Sequence, residues 1–157
     1  MKKETLKAPA GAMGPASYYA QAAKAGPFLF LAGIGGFDSE NRRIIRSFDD
    51  IPGEECKKLR SGDWHIDTCE ETIMAQTWWM YTQIKKVLEG YGSSLENVMQ
   101  TIIFIRDMRK NFAPFCRVRM MFVKNPSPST IVETPRLGMT DDLLVEMSTI
   151  ALIPDEK

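Results

Sequence analysis

The spacing of apolar positions changes character along the chain, and each change marks an element. The first 16 residues carry Pro9, Pro15, Gly11 and Gly14 without any period, and read as an irregular arm. Ser17–Ala22 reads as a short strand, followed by a turn at Lys24–Pro27. Phe28–Gly33 is then a continuous apolar run between Pro27 and a glycine cluster, the pattern of a strand with apolar side chains on both faces. Residues 37–68 are the most polar stretch, with Ile44 and Ile45 marking one short strand; Pro52-Gly53 and Ser61-Gly62-Asp63 are turn signals, so this is a long excursion from the fold, not a second domain. From Thr68 to Tyr91 the period becomes helical: Ile73, Thr77, Met80, Ile84, Val87, Leu88 and Tyr91 recur three or four residues apart, with Asp67 or Thr68 to cap the start and Gly90 or Gly92 to end it. Val98–Ile105 is a second strand apolar on both faces. A second helix is predicted from about Phe112 to Val123, stopped by Asn125-Pro126-Ser127-Pro128, and strands at 129–134 and 143–153 close the chain.

The order β-β-(β)-α-β-α-β-β predicts an α+β architecture, with two helices packed on one face of a mixed sheet. Two helices cover only one face, yet the central strands are apolar on both. The uncovered face therefore asks for a partner, and the simplest partner is another copy of the chain.

Composition narrows the function. A chain of 157 residues, 44% apolar and 25% charged, suits a single domain spanning 1–157 with an enlarged loop at about 38–67. Lys and Arg number 20 against 20 Asp and Glu, so neither a general nucleic-acid binder nor a charge-driven membrane binder is expected. No apolar run approaches bilayer length and the first residues lack the apolar block of a secretory signal, so Cys56, Cys69 and Cys116 are expected as reduced thiols in the cytoplasm. One histidine, His65, and no paired ligand spacing exclude the usual zinc sites. The Gly33-x-Gly35-Gly36 string lacks the spacing of a phosphate loop.

An ordered set of short motifs then carries a resemblance: Tyr19-Ala20-Gln21-Ala22 before Ala25-Gly26, Phe30-Leu31-Ala32-Gly33, Ala75-Gln76-Thr77, Gly92–Val98 leading into Thr101–Phe104, Arg106-Asp107-Met108, Pro135-Arg136-Leu137 and Leu144–Ala151. Together these pieces, which span about two thirds of the chain, resemble the RidA/YjgF family, also called endoribonuclease L-PSP proteins. The resemblance implies a chorismate-mutase-like fold assembled as a homotrimer, with small-molecule ligands in clefts between subunits and neither metal nor organic cofactor. It also implies hydrolysis of reactive imines and enamines, which releases ammonia and a 2-keto acid.

Carried over position by position, the resemblance places Glu146 on the family's acidic residue, which orients or activates water, and Tyr19 on its cleft tyrosine. Gly33 falls on the glycine whose backbone lines the cleft. The arginine that grips a substrate carboxylate in active members falls on Ser129, inside Pro126-Ser127-Pro128-Ser129-Thr130-Ile131, so the usual clamp is absent here; Ile131 lies beside it as a lining position. Cys116 falls where many members carry a cleft asparagine, and reads either as a cleft residue or as a structural thiol. Arg117 and Arg119 are available as a substitute anion clamp, or as a solvated helix face or intersubunit ion pair. The excursion exceeds the family norm by roughly a dozen residues and brings Trp64 and His65. Two functions follow: an imine or enamine hydrolase with altered substrate preference, or a metabolite-binding trimer without catalysis. A nuclease is disfavoured by neutral charge and the lack of an aromatic-basic strip.

Overall fold

The computed structural model describes residues 2–60, 67–138 and 140–154. Among these residues eight strands and two long helices follow one another as β1 (Glu4–Leu6), β2 (Ala22–Ala25), β3 (Phe28–Gly35), β4 (Phe37–Asp38), β5 (Arg43–Ile44), α1 (Asp67–Gly90), β6 (Val98–Ile105), α2 (Met108–Phe122), β7 (Ser129–Glu133) and β8 (Val145–Leu152). Six strands form one mixed sheet in the order β1-β2-β3-β8-β6-β7. All its neighbours are antiparallel except β6 and β7, which run parallel because α2 carries the chain back to the same end.

Burial alternates along the central strands. Leu29, Leu31, Ile34, Ile103, Ile105, Val145, Met147 and Ala151 point under the helices, where they meet Ile73, Met80, Ile84, Val87 and Leu88 of α1 and Phe115 of α2 in one core. The opposite face is also apolar. Phe30 pairs with Ile150, Phe28 with Leu152, and Ile102 stands beside Ser148 and Thr130. Among the described residues nothing covers that face: Phe30 is 42% and Ile102 37% exposed.

Three elements depart from the sequence expectation. The arm forms β1, which pairs with β2 as Glu4–Lys24, Thr5–Ala23 and Leu6–Ala22; three residues are too few to show a period. The strand expected at Ser17–Ala22 begins only at Ala22, because the chain before it bends, with Tyr18 fully exposed. A tight turn then follows: Ala25 pairs with Phe28 across Gly26 and Pro27, and Gly26 sits at φ +59, a conformation glycine takes without penalty. Helix α2 begins at Met108, four residues before its apolar period, where the Glu133 carboxylate accepts the Met108 N–H at 2.9 Å.

The excursion packs a second small core on the outer side of α1, made of Ile45, Phe48, Ile51 and Cys56 against Met74, Ala75, Trp79 and Val118. Of the adjacent tryptophans, Trp79 thus faces this core and its indole N–H donates to the Phe37 carbonyl at 3.1 Å, while Trp78 meets the Phe122 ring edge-on. Trp64 and His65 lie outside the described residues. Gln76 ties the parts together: its side-chain amide donates to the carbonyls of Ile45 (2.9 Å) and Asp142 (2.8 Å) and its oxygen accepts from the Leu144 N–H (2.8 Å). Excursion, helix and the entry to β8 therefore share one fully buried amide. Among the described residues no helix is long and apolar enough to cross a membrane.

Candidate functional site

The pairing of β3 with β8 slips between Leu31 and Ile34, a bulge in the middle of the sheet. Bulges re-aim side chains and are frequent beside functional sites. Here the bulge makes room for Glu146 on β8. A methyl group built on Gly33 would lie 2.3 Å from Glu146 Oε1, so only glycine at 33 leaves the carboxyl where it is. Glu146 lies across β6 from Phe104 and across β3 from Gly35, on the uncovered apolar face. Burial pushes its carboxyl above the ordinary glutamate value. Among the described residues no hydrogen bond or ion pair reaches it.

Glu146 and Gly33 border a cavity of about 910 Å³, and Tyr19 lies in the same wall. The Tyr19 hydroxyl accepts the Ala16 N–H at 3.2 Å, which leaves its own proton free to donate. Three residues expected from the sequence thus converge. The others do not reach this cavity in the single chain. Ser129 lies on β7, the sheet edge, where it is exposed and hydrogen-bonds Thr101 at 3.0 Å; Ile131 is half-buried on the same strand. Arg117 pairs with Glu70 on α1, and Arg119 stands near Tyr81 and Cys116. Burial pushes the Cys116 thiol up, against a pull from Arg119, and a thiol held protonated is a poor nucleophile.

The wall also holds residues that sequence reasoning did not single out as site groups. Gln21 is 4% exposed, and its side-chain oxygen is buried without a hydrogen-bond partner among the described residues. Arg42, Arg43 and Arg46 enter from the β4–β5 hairpin and the turn after it. Their sequence signal was the basic cluster Arg42-Arg43-Ile44-Ile45-Arg46, which looks like any solvated charge run. A carboxyl of raised proton affinity, a phenol, a buried amide oxygen and cations can bind a small polar molecule and move one proton at it. No group of three or more His, Cys, Asp or Glu able to hold a metal is found among the described residues.

Residues 60–153 match the profile of the family described as Endoribonuclease L-PSP. A RutC family protein of Pyrococcus horikoshii is 30% identical over 138 residues, 87% of this chain and 88% of that one. A candidate endoribonuclease from Klebsiella pneumoniae superposes with a TM-score of 0.79 at 26% identity, over 87% of this chain and 100% of that one. RidA from an Antarctic Psychrobacter shares the fold, with a TM-score of 0.66 at 23% identity over 90% of this chain and 94% of its own. With the helix-covered mixed sheet, the bulge at Gly33 and the profile over most of its length, this chain belongs to the Endoribonuclease L-PSP family, the RidA/YjgF proteins.

Proposed function

We propose that this protein hydrolyses imines or enamines of small metabolites at the Glu146 cavity. The observation that carries the reading is the carboxyl itself: half-buried, raised in proton affinity by burial, without a protein partner among the described residues, and given space by Gly33. Such a group accepts a proton from water as the water adds to the carbon of a C=N bond and passes it to the nitrogen, giving the carbinolamine; it then takes the carbinolamine hydroxyl proton and delivers it to the nitrogen as the C–N bond breaks, the C=O bond forms and ammonia leaves. Tyr19 donates a hydrogen bond to the substrate or the carbinolamine. Every atom balances: imine plus water gives ketone plus ammonia.

The uncovered sheet face supports a homotrimer in which neighbouring copies close the cleft over Glu146. Ser129 and Ile131, on the edge strand β7, would then approach the cavity from an adjacent subunit, whereas Arg117 and Arg119 are engaged with α1. Phe30→Glu or Ile102→Asp places a charge in that interface, and light scattering is expected to report monomer in place of the wild-type oligomer. An unchanged mass for both variants would remove the face from the assembly. The free thiols of Cys56 and Cys116 fit a reducing compartment, and we assign the protein to the cytoplasm.

Ammonia release tests the function. Imines are generated in situ by an amino-acid oxidase, and wild-type protein is expected to accelerate ammonia formation above the spontaneous rate. The serine at 129, where an anion-gripping arginine is expected, favours a second reading, in which the cleft binds a metabolite without turning it over. Silence from wild type with activity appearing in Ser129→Arg would assign that reading. RNA cleavage finds no support in a chain with equal numbers of basic and acidic residues.

A further inference from the structure

Three arginines border the Glu146 cavity, and two of them are committed. Arg43 donates to the Asp50 carboxylate at 3.0 Å and to the Asp50 carbonyl at 2.8 Å, and lies 3.6 Å from Asp38; Arg46 pairs with Asp142 at 2.8 Å. These pairs neutralise Asp50 and Asp142, which border the cavity too. Arg42 has no hydrogen bond or ion pair among the described residues. Glu40, two positions away, borders a different cavity beneath the excursion beside Trp78. Of the charges around the Glu146 cavity, the Arg42 guanidinium is thus the unmatched cation among the described residues.

Its backbone is held in an unfavourable conformation. Arg42 has φ +52 at the last position of the four-residue β4–β5 loop, the left-handed region where glycine or asparagine is the easy choice. The loop is fixed around it: the buried Asp38 carboxylate accepts the Asn41 N–H at 3.2 Å and its side-chain amide at 2.7 Å, and Ser39 donates to the Gly14 carbonyl at 2.7 Å. A strained arginine on an anchored hairpin, free of partners and bordering a cavity, has the form of a preorganised anion site. The buried Gln21 oxygen in the same wall is a second unmet group, an acceptor for a ligand N–H.

We propose that Arg42 binds the carboxylate of the ligand in the Glu146 cavity, so that the site takes imines or enamines derived from amino acids although position 129 is serine. This rests on the reading of Glu146 as the group that handles the reacting bond. The planar guanidinium grips a carboxylate with two parallel hydrogen bonds, and Glu146 lines the same cavity as the group that handles the reacting bond.

The test uses pyruvate, an unreactive carboxylate, in calorimetry with the intact protein, alongside hydrolysis of an anionic imine and an uncharged one. Arg42→Gly removes the cation and relieves the positive φ, so the fold is kept. Pyruvate binding is expected to weaken at least roughly tenfold, KM for the anionic imine to rise in parallel, and the preference in kcat/KM for the anionic over the uncharged imine to fall with it. Arg42→Lys is expected to recover part of the binding. Equal pyruvate affinity in wild type and Arg42→Gly, or no pyruvate binding by wild type, overturns the assignment. Equal turnover of the anionic imine by both proteins does so too, and leaves the hydrolase standing. Pyruvate binding lost in Arg42→Gly with no turnover by wild type sustains Arg42 and fails the hydrolase.

Discussion

Glu146→Gln is expected to cut imine hydrolysis by about 10²–10⁴-fold, the range for removing a positioned proton-transfer group, while the protein melts no lower than wild type at pH 7. Glutamine keeps the size of the side chain and its place beside Gly33, so packing is preserved. What it loses is the ability to take a proton from water. The stability half of the expectation follows from burial. A carboxyl with folded proton affinity above its unfolded value makes the native state bind more protons just above the ordinary glutamate value of 4.5, so its presence costs stability as pH rises through that window. At neutral pH the neutral amide removes that cost. The pH profile of wild type follows the same sign: kcat/KM is expected to climb along an acid limb whose midpoint lies above 4.5, and Glu146→Gln to lack that limb. A variant that retains a rate within a few-fold of wild type would show that water is activated by some other group.

Gln76→Leu is expected to lower stability by about 3–5 kcal/mol and the unfolding midpoint by roughly 10 °C. Leucine fills a similar volume, so no large cavity opens. The loss comes from three backbone groups left without partners: the carbonyls of Ile45 and Asp142 and the Leu144 N–H. Each unmet group costs about 1–3 kcal/mol. Gly36 confirms how little room there is, since a methyl group there would lie 2.3 Å from Gln76 Cγ. Circular dichroism melting checks this. A midpoint within about 2 °C of wild type would mean that the three groups find water or other partners.

The helices and central strands are legible because burial imposes a period: α1 turns its Ile73–Leu88 stripe to the sheet, and β3, β6 and β8 show apolar residues on both faces. That second apolar face is the most informative feature of the sequence, since it reports a surface the single chain leaves bare. The β1 pairing was hidden, because Glu4-Thr5-Leu6 joins the sheet through backbone hydrogen bonds that side chains do not encode. The site was half legible. Tyr19, Gly33 and Glu146 sit within motifs and do meet at one cavity. Arg42 was invisible, because its significance lies in the partners found by Arg43 and Arg46, and those partnerships are tertiary. Gln21 was quoted as part of a motif, yet only the fold shows its oxygen buried and unanswered.

The two hydrophobic clusters have an evolutionary consequence. The sheet that carries Glu146 and the excursion that follows the Arg42 hairpin are built on two clusters, which meet at Phe122 and are tied by Gln76 and by the Arg46–Asp142 pair. Changes confined to the exposed hairpin loop, away from these ties, therefore leave the Glu146 carboxyl in its register on β8, so the rim of the cavity can vary while its floor stays fixed.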